Sequence, residues 1–344
     1  MQPPLSMSLF RCSFATPRHP ALIIFYENAQ SASIFFLDKC GMMKLESYHD
    51  YKGRNALKRL FALLGLLLFL LAGCAPQQPP AKIAATTLPV YEFTSQLCSG
   101  TDLTVTQLVS ENVSCLHDYS LSVSQVKAAE SAELIVLSGA GLEDFMADLL
   151  AGRTVLDASR GIAMLESCGH DHDEHHHHHE HDPHLWLSPA CAKTMCQNIC
   201  DGLISQYPEY AAVFETNLQT LLSELDALQA YGTKQLANLS CRELITFHDG
   251  FSYFADAFDL NVLKAVEEES GSEASAALLK ELIGLVESHS LPAIFTETNG
   301  STSAAGIIAA ETSATVYTLD MAMSGSSWFE AMYHNIDTVK EALE

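Results

Sequence analysis

Between Cys168 and Trp186 the sequence reads Cys-Gly-His-Asp-His-Asp-Glu-His-His-His-His-His-Glu-His-Asp-Pro-His-Leu-Trp. Eight histidines fall at His170, His172, His175, His176, His177, His178, His179 and His181, interleaved with Asp171, Asp173, Glu174 and Glu180. No apolar core can take in such a run, because its polar groups would be buried without partners. The tract is therefore expected as a solvated, disordered loop, and whatever folds must fold on either side of it. Imidazole is the commonest nitrogen ligand for zinc and similar divalent metals, and carboxylates beside it add negative charge. A purification tag fits poorly, since tags stand at chain ends and carry no interleaved acids. Metal handling is the function to which the tract points.

On both sides of the tract, short apolar runs alternate with amphipathic stretches. Residues 83–88, 103–109, 134–137 and 154–157 read as strands. Residues 90–98, introduced by Pro89, read as a helix, as do 124–131 and 142–150. Beyond Ser188-Pro189 comes a helical stretch that breaks near Pro208. A longer one follows over 209–237, with Val213, Phe214, Leu218, Leu221, Leu222, Leu225 and Leu228 at the 3.6-residue period. A second unit then repeats the alternation: strand 243–247, helix 251–258, helix 275–288, strand 293–296, helix 303–311, strand 316–319, and a terminal helix over 328–343. Strands alternating with helices at this spacing predict parallel sheets flanked by helices. The fold class is α/β, with two similar lobes joined by one long helix. The expected boundaries are 82–208 for the first lobe (its histidine loop at 169–183), 209–239 for the linking helix and 240–344 for the second lobe.

The front of the chain speaks to location. Lys44, Lys52, Arg54, Lys58 and Arg59 precede an apolar run from Leu60 to Ala72, which ends in Leu71-Ala72-Gly73-Cys74. Thirteen apolar residues are too few to span a hydrocarbon core of ~30 Å, but they suit the apolar region of a secretory signal. The ending looks like a bacterial lipobox, in which Cys74 is lipid-modified and becomes the first residue after cleavage. Each buried acyl methylene adds about 0.8 kcal/mol of membrane affinity, so Cys74 would anchor the chain to the bilayer. Residues 74–81, rich in Pro and Gln, then form a tether. Residues 1–73 are the leader, of which 1–42 lack periodicity, read as an over-long start and are set aside from fold reasoning.

Past Cys74 there remain 10 Lys+Arg against 38 Asp+Glu, a net charge of −28 with His neutral. Such a surface repels nucleic acid and attracts cations. Of the seven cysteines after Cys74, none forms a Cys-x-x-Cys pair, so a zinc-finger or thioredoxin-type site is not expected. Cys196 and Cys200, one helical turn apart, suit small apolar packing positions.

In open α/β sheets ligands gather at the carboxyl ends of strands. Four residues stand there or close by: His117, His184, His248 and Asp320. Three imidazoles and a carboxylate make the four-coordinate set that zinc prefers, with two ligands from each lobe. Glu297 occupies an equivalent strand end, and spacing alone does not choose between it and Asp320 as the fourth ligand.

Four stretches carry a family resemblance: Leu-His-Asp-Tyr-Ser-Leu-Ser-Val-Ser-Gln, Asp-Pro-His-Leu-Trp-Leu-Ser-Pro, Thr-Phe-His-Asp-Gly-Phe-Ser-Tyr-Phe and Ala-Ile-Phe-Thr-Glu. In this order, across residue 82 to the C-terminus, they resemble the cluster A-I metal-binding proteins of ABC transporters. That family includes zinc-uptake periplasmic proteins and manganese-binding lipoproteins. The resemblance implies two α/β lobes bridged by a rigid helix, with metal in the interlobe cleft. It assigns His117 and His184 to the first lobe and His248 to the second, matches Asp320 to the late aspartate, and matches Glu297 to a glutamate near the site. Around Asp320 the chain departs from the family, with Leu-Asp-Met-Ala-Met where Leu-Asp-Pro-Leu-Gly is common. Manganese-type relatives carry a carboxylate where this chain has His248. A third imidazole favours zinc over the harder manganese ion, and the histidine loop resembles that of zinc-specific members.

These observations lead to a monomeric, lipid-anchored, extracytoplasmic protein that captures Zn2+, with Mn2+ second. It would hand the ion to an ABC permease driven by its ATPase. It would bind no nucleic acid and would not be an enzyme. The histidine loop would serve as an auxiliary metal collector. The rival readings are a manganese or iron relative, an adhesin-like metal-binding lipoprotein, and a secreted zinc hydrolase. The last is opposed by the lack of a His-Glu-x-x-His motif.

Overall fold

The computed structural model describes residues 22–28, 31–37, 43–45, 83–110, 116, 119–165, 181–266, 274–298, 300 and 302–344. The chain divides into two compact units, Met1–Gln77 and Gln78–Glu344. In the first, β1 (Leu22–Asn28), β2 (Ser31–Leu37) and β3 (Met43–Leu45) form an antiparallel sheet in that order. This sheet lies mostly in the segment set aside on sequence. The expected signal run, tether and Cys74 lie outside the described residues.

The second unit holds two parallel sheets of the same topology. In the first lobe β4 (Ile83–Ala85), β5 (Val105–Gln107), β6 (Leu134–Leu137) and β7 (Val155–Asp157) lie in the order β5-β4-β6-β7. In the second, β8 (Glu243–Thr246), β9 (Asn261–Ala265), β10 (Ala293–Glu297) and β11 (Thr315–Leu319) lie in the order β9-β8-β10-β11. All pairings within these two sheets are parallel. The winding therefore reverses between β4 and β6 in one lobe and between β8 and β10 in the other. A crevice opens at the carboxyl ends of strands at such a reversal, because the connections leave to opposite faces.

Around the sheets stand α1 (Leu88–Leu97), α2 (Val123–Ser131), α3 (Ala147–Leu150), α4 (Pro189–Gln206), α5 (Ala211–Gln235), α6 (Ser252–Ala257), α7 (Ala276–His289), α8 (Ser303–Glu311) and α9 (Trp328–Leu343). Pro89 sits in the first turn of α1, and a full capping box between Ser122 and Gln125 starts α2. The linking helix α5 buries Phe214, Leu218, Leu221, Leu225, Leu228 and Gly232, steps of three and four that make one stripe. That stripe packs on α1, α4 and α9, so both lobes lean on the same rod. Arg242 fixes the exit from the rod by donating to the carbonyls of Leu236 (2.8 Å) and Asp259 (2.9 Å). Among the described residues no helix is long and apolar enough to cross a membrane.

Two expectations need correcting in detail. The helix expected over 142–150 is a 3-10 turn at Asp144–Met146 followed by the short α3. The cause lies just before it, where Gly139, Ala140 and Gly141 all have positive φ (88°, 55° and 82°), so the chain enters through left-handed backbone rather than a helical cap. The edge strand β9, Asn-Val-Leu-Lys-Ala, was not expected; it is exposed or half-buried up to Ala265 and lacks a core strand's apolar run. The Leu185–Leu187 turn after His184 is also 3-10 and carries the fully buried Trp186. Cys196 and Cys200 are buried free thiols in the face of α4, as their spacing implies.

Candidate metal centre

His248 follows β8 directly. Phe247 N–H donates to Phe295 O at 2.9 Å, and Thr246 Oγ1 donates to His248 O at 3.0 Å, which bends the chain out of the sheet. Glu297 ends β10, the strand beside β8, and its Oε2 stands 3.6 Å from His248 Nδ1. The pair thus straddles the second lobe's winding reversal. Both side chains are largely buried, at 13% and 10% exposure.

His184 reaches the same place from the other lobe. Asp182, fully buried, takes two hydrogen bonds on one carboxylate oxygen, from His184 N–H (2.9 Å) and His184 Nδ1 (2.7 Å). A carboxylate at Nδ1 holds the proton there and leaves the Nε2 lone pair pointing away, the tautomer a metal ligand requires. His184 Nε2 lies 3.2 Å from His248 Nε2. Two nitrogens bound to one tetrahedral zinc at about 2.0–2.1 Å stand roughly 3.3–3.4 Å apart. The two rings are therefore already spaced as neighbouring ligands of one ion.

Gly250 makes room for this convergence. A Cβ there would lie 2.6 Å from Met321 Cε, 2.8 Å from His248 Cδ2 and 3.1 Å from His184 Cε1. Asp320 precedes Met321 at the end of β11. Its backbone is gripped twice by the fully buried Asn335, which accepts from Asp320 N (2.7 Å) and donates to Asp320 O (2.7 Å). One of its carboxylate oxygens accepts from Ala322 N at 2.7 Å.

At the first lobe's winding reversal the described residues form a polar knot. Glu143, 3% exposed, accepts from Thr86 Oγ1 (2.6 Å), Ser138 N (2.8 Å) and Gly139 N (3.0 Å), tying together the ends of β4 and β6. Burial pushes its carboxyl up to about 7 against the lowering pull of these three bonds.

The histidine tract is rooted at the site. Asp182 N–H donates to Leu165 O at 3.0 Å, so the chain leaves at 165 and returns at 182 through adjacent backbone. Leu165 N–H in turn donates to Tyr253 Oη at 2.8 Å, and burial pushes that phenol up to about 12. Of the tract's histidines only His181 is among the described residues, and it is exposed. His170, His172, His175, His176, His177, His178 and His179 lie outside them, as does His117. Among the described residues no group of three or more His, Cys, Asp or Glu side chains is close enough to hold a metal. The described centre is the His184–His248 pair with its flanking carboxylates.

Sequence reasoning did not single out Asp182, Gly250 or Asn335. Asp182 had a legible signal: an aspartate two residues before a histidine can turn back onto that residue's own N–H. Asn335 had none, since its partner lies 15 residues away across a strand-to-helix turn.

A family model for "ZnuA: Zinc-uptake complex component A periplasmic" matches residues 83–342. The zinc-binding lipoprotein AdcA of Streptococcus pneumoniae serotype 4 is 29% identical over 310 residues, covering 84% of this chain and 62% of its own. The chain thus spans less than two thirds of that relative's length. The crystal structure of ZnuA superposes with a TM-score of 0.68 at 30% identity, covering 77% of this chain and all of its own. The laminin-binding protein Lmb of Streptococcus agalactiae, described as a bifunctional protein with adhesin and metal transporting activity, shares the fold (TM-score 0.66, 23% identity, 76% of this chain and 99% of its own).

Proposed function

The chain belongs to the family of periplasmic zinc-uptake complex component A proteins, and from that premise we propose that it captures Zn2+ between its lobes and delivers it to an ABC permease. His184 and His248 are two of the ligands, with His117 and Asp320 completing the set. The observation that carries this is the 3.2 Å separation of the two Nε2 atoms, one from each lobe. Glu297 faces the opposite nitrogen of His248, which supports it as an outer partner that orients the ring, and supports Asp320 as the fourth ligand. Imidazole-rich coordination favours zinc over manganese, and the acidic surroundings favour a divalent cation of either kind. The chain acts as a single copy, since all four ligands belong to it, tethered to the outer face of the membrane through Cys74. The histidine tract collects dilute metal beside the cleft where it is rooted.

Calorimetric titration of tag-free protein, with zinc and manganese in competition, tests this. Tight binding of one zinc per chain is expected, weakened at least a hundredfold by His184→Ala or His248→Ala. Protons compete with the metal for imidazole nitrogen, so affinity should fall from pH 7.5 to pH 5.5. Wild-type affinity in His248→Ala, or zinc affinity indifferent to that pH change, would contradict the proposal.

A further inference from the structure

We infer that Trp186 is a positioning residue that sets the separation of the ligand-bearing loops across the two lobes, an inference that rests on the cleft reading above. Its indole N–H donates to Met321 O at 2.7 Å, a contact between residues 135 apart in sequence. At one end of this bond Trp186 lies two residues beyond His184, and its ring meets the His184 imidazole edge-on with centroids 5.3 Å apart. At the other end Met321 directly follows Asp320. One rigid side chain therefore touches a first-lobe ligand and bonds the loop of a second-lobe ligand. Trp328 secures it from behind, donating its own indole N–H to Trp186 O at 3.1 Å. Trp328 is itself fixed to the first lobe, through its backbone N–H to Glu92 (2.5 Å) and an edge-on contact with Phe93. Both tryptophans are fully buried, so no water can replace these donors without opening the junction. A site shared between lobes holds its geometry only if its supports fix it within about 0.5 Å, and this pair of indoles is a support that spans the junction beside the ligands.

The test compares wild type, Trp186→Phe and Trp328→Phe by zinc affinity against a chromophoric chelator and by the visible absorption of the Co2+ form. Cobalt band position and intensity report the ligand cage, which a residue that merely fills space would leave alone. Trp186→Phe is expected to weaken zinc on the order of tenfold, the scale of one lost buried hydrogen bond, and to shift and weaken the cobalt bands. If Trp186→Phe does not fold, Trp328→Phe, which frees Trp186 through its carbonyl, is expected to show the same cobalt change to a lesser degree. Folded variants with wild-type cobalt spectra and zinc affinity, whatever their melting temperatures, would overturn the inference. A wild-type protein without a tight zinc or cobalt site would overturn the cleft reading itself, and this assignment with it.

Discussion

At the residue scale the decisive chemistry is the choice of which imidazole nitrogen carries a proton. Asp182 makes that choice for His184 at 2.7 Å while also holding the backbone of the same residue. Replacing it with alanine leaves the ring free to turn and to move its proton to Nε2. Asp182→Ala should therefore cost about 10–100-fold in zinc affinity, the range found for lost outer partners of metal ligands, with little change in the number of ions bound. Titration calorimetry decides; affinity within twofold of wild type would mean that packing alone orients His184. Glu143 is the second residue whose charge state matters. Its carboxyl is raised from 4.5 to about 7 in the folded protein, so between those values the native state holds a proton the unfolded chain has released. Its contribution to stability is present below about pH 4.5 and is lost as pH rises through 7, up to about 3 kcal/mol. Urea unfolding with metal chelated should show this decline from pH 5 to pH 8, and Glu143→Gln should flatten it. An unchanged slope in the variant would assign the dependence to other groups.

At the element scale the two sheets were legible because their inner strands carry short apolar runs, such as Leu-Ile-Val-Leu at 134–137, between helical stretches. The linking helix was legible because its stripe keeps one period for its whole length. What escaped is what tertiary structure imposes. β9 forms because β8 offers it an edge, and the turn at Asp144–Met146 forms because three left-handed residues feed it. His117 and His248 stood out because histidine beside a strand end is a chemical signal. Asp182 and Asn335 did not, because aspartate and asparagine near turns have many commoner uses. The helix α5 also contains a glycine that propensity rules would replace. A Cβ on Gly232 would lie 2.2 Å from Cε1 of Phe258, whose ring packs edge-on against Phe254 at 5.0 Å, so the ring would have to shift. Helix propensity favours alanine by about 1 kcal/mol, whereas overpacking costs typically 1–3 kcal/mol. Gly232→Ala should be destabilising by about 1 kcal/mol in chemical denaturation. A stabilised variant would show that Phe258 can repack.

At the scale of the whole molecule, the histidine tract and the fold are separable in one respect and joined in another. They are separable because the chain leaves at Leu165 and returns at Asp182, two points joined by a backbone hydrogen bond. The intervening residues close a loop whose ends the fold already holds together, so shortening it costs the folded state little; closure entropy changes by only about 0.6 kcal/mol per doubling of length. They are joined because that bond lies at Asp182, the carboxylate that orients His184, and because the departing end is held by Tyr253, five residues past His248. Removing residues 171–180 while keeping Asp182 should leave the melting temperature of the metal-free protein nearly unchanged and keep one tight zinc site. The weaker, exchangeable binding steps should disappear from the titration. Loss of the tight step would instead make the tract the principal site. Persistence of the weak steps would place them on the acidic surface, whose net charge of −28 past residue 73 could gather cations without imidazole. Repeating the titration in 0.5 M salt separates these cases, since attraction to exposed carboxylates is screened over about 4 Å at such ionic strength while coordination by imidazole is not.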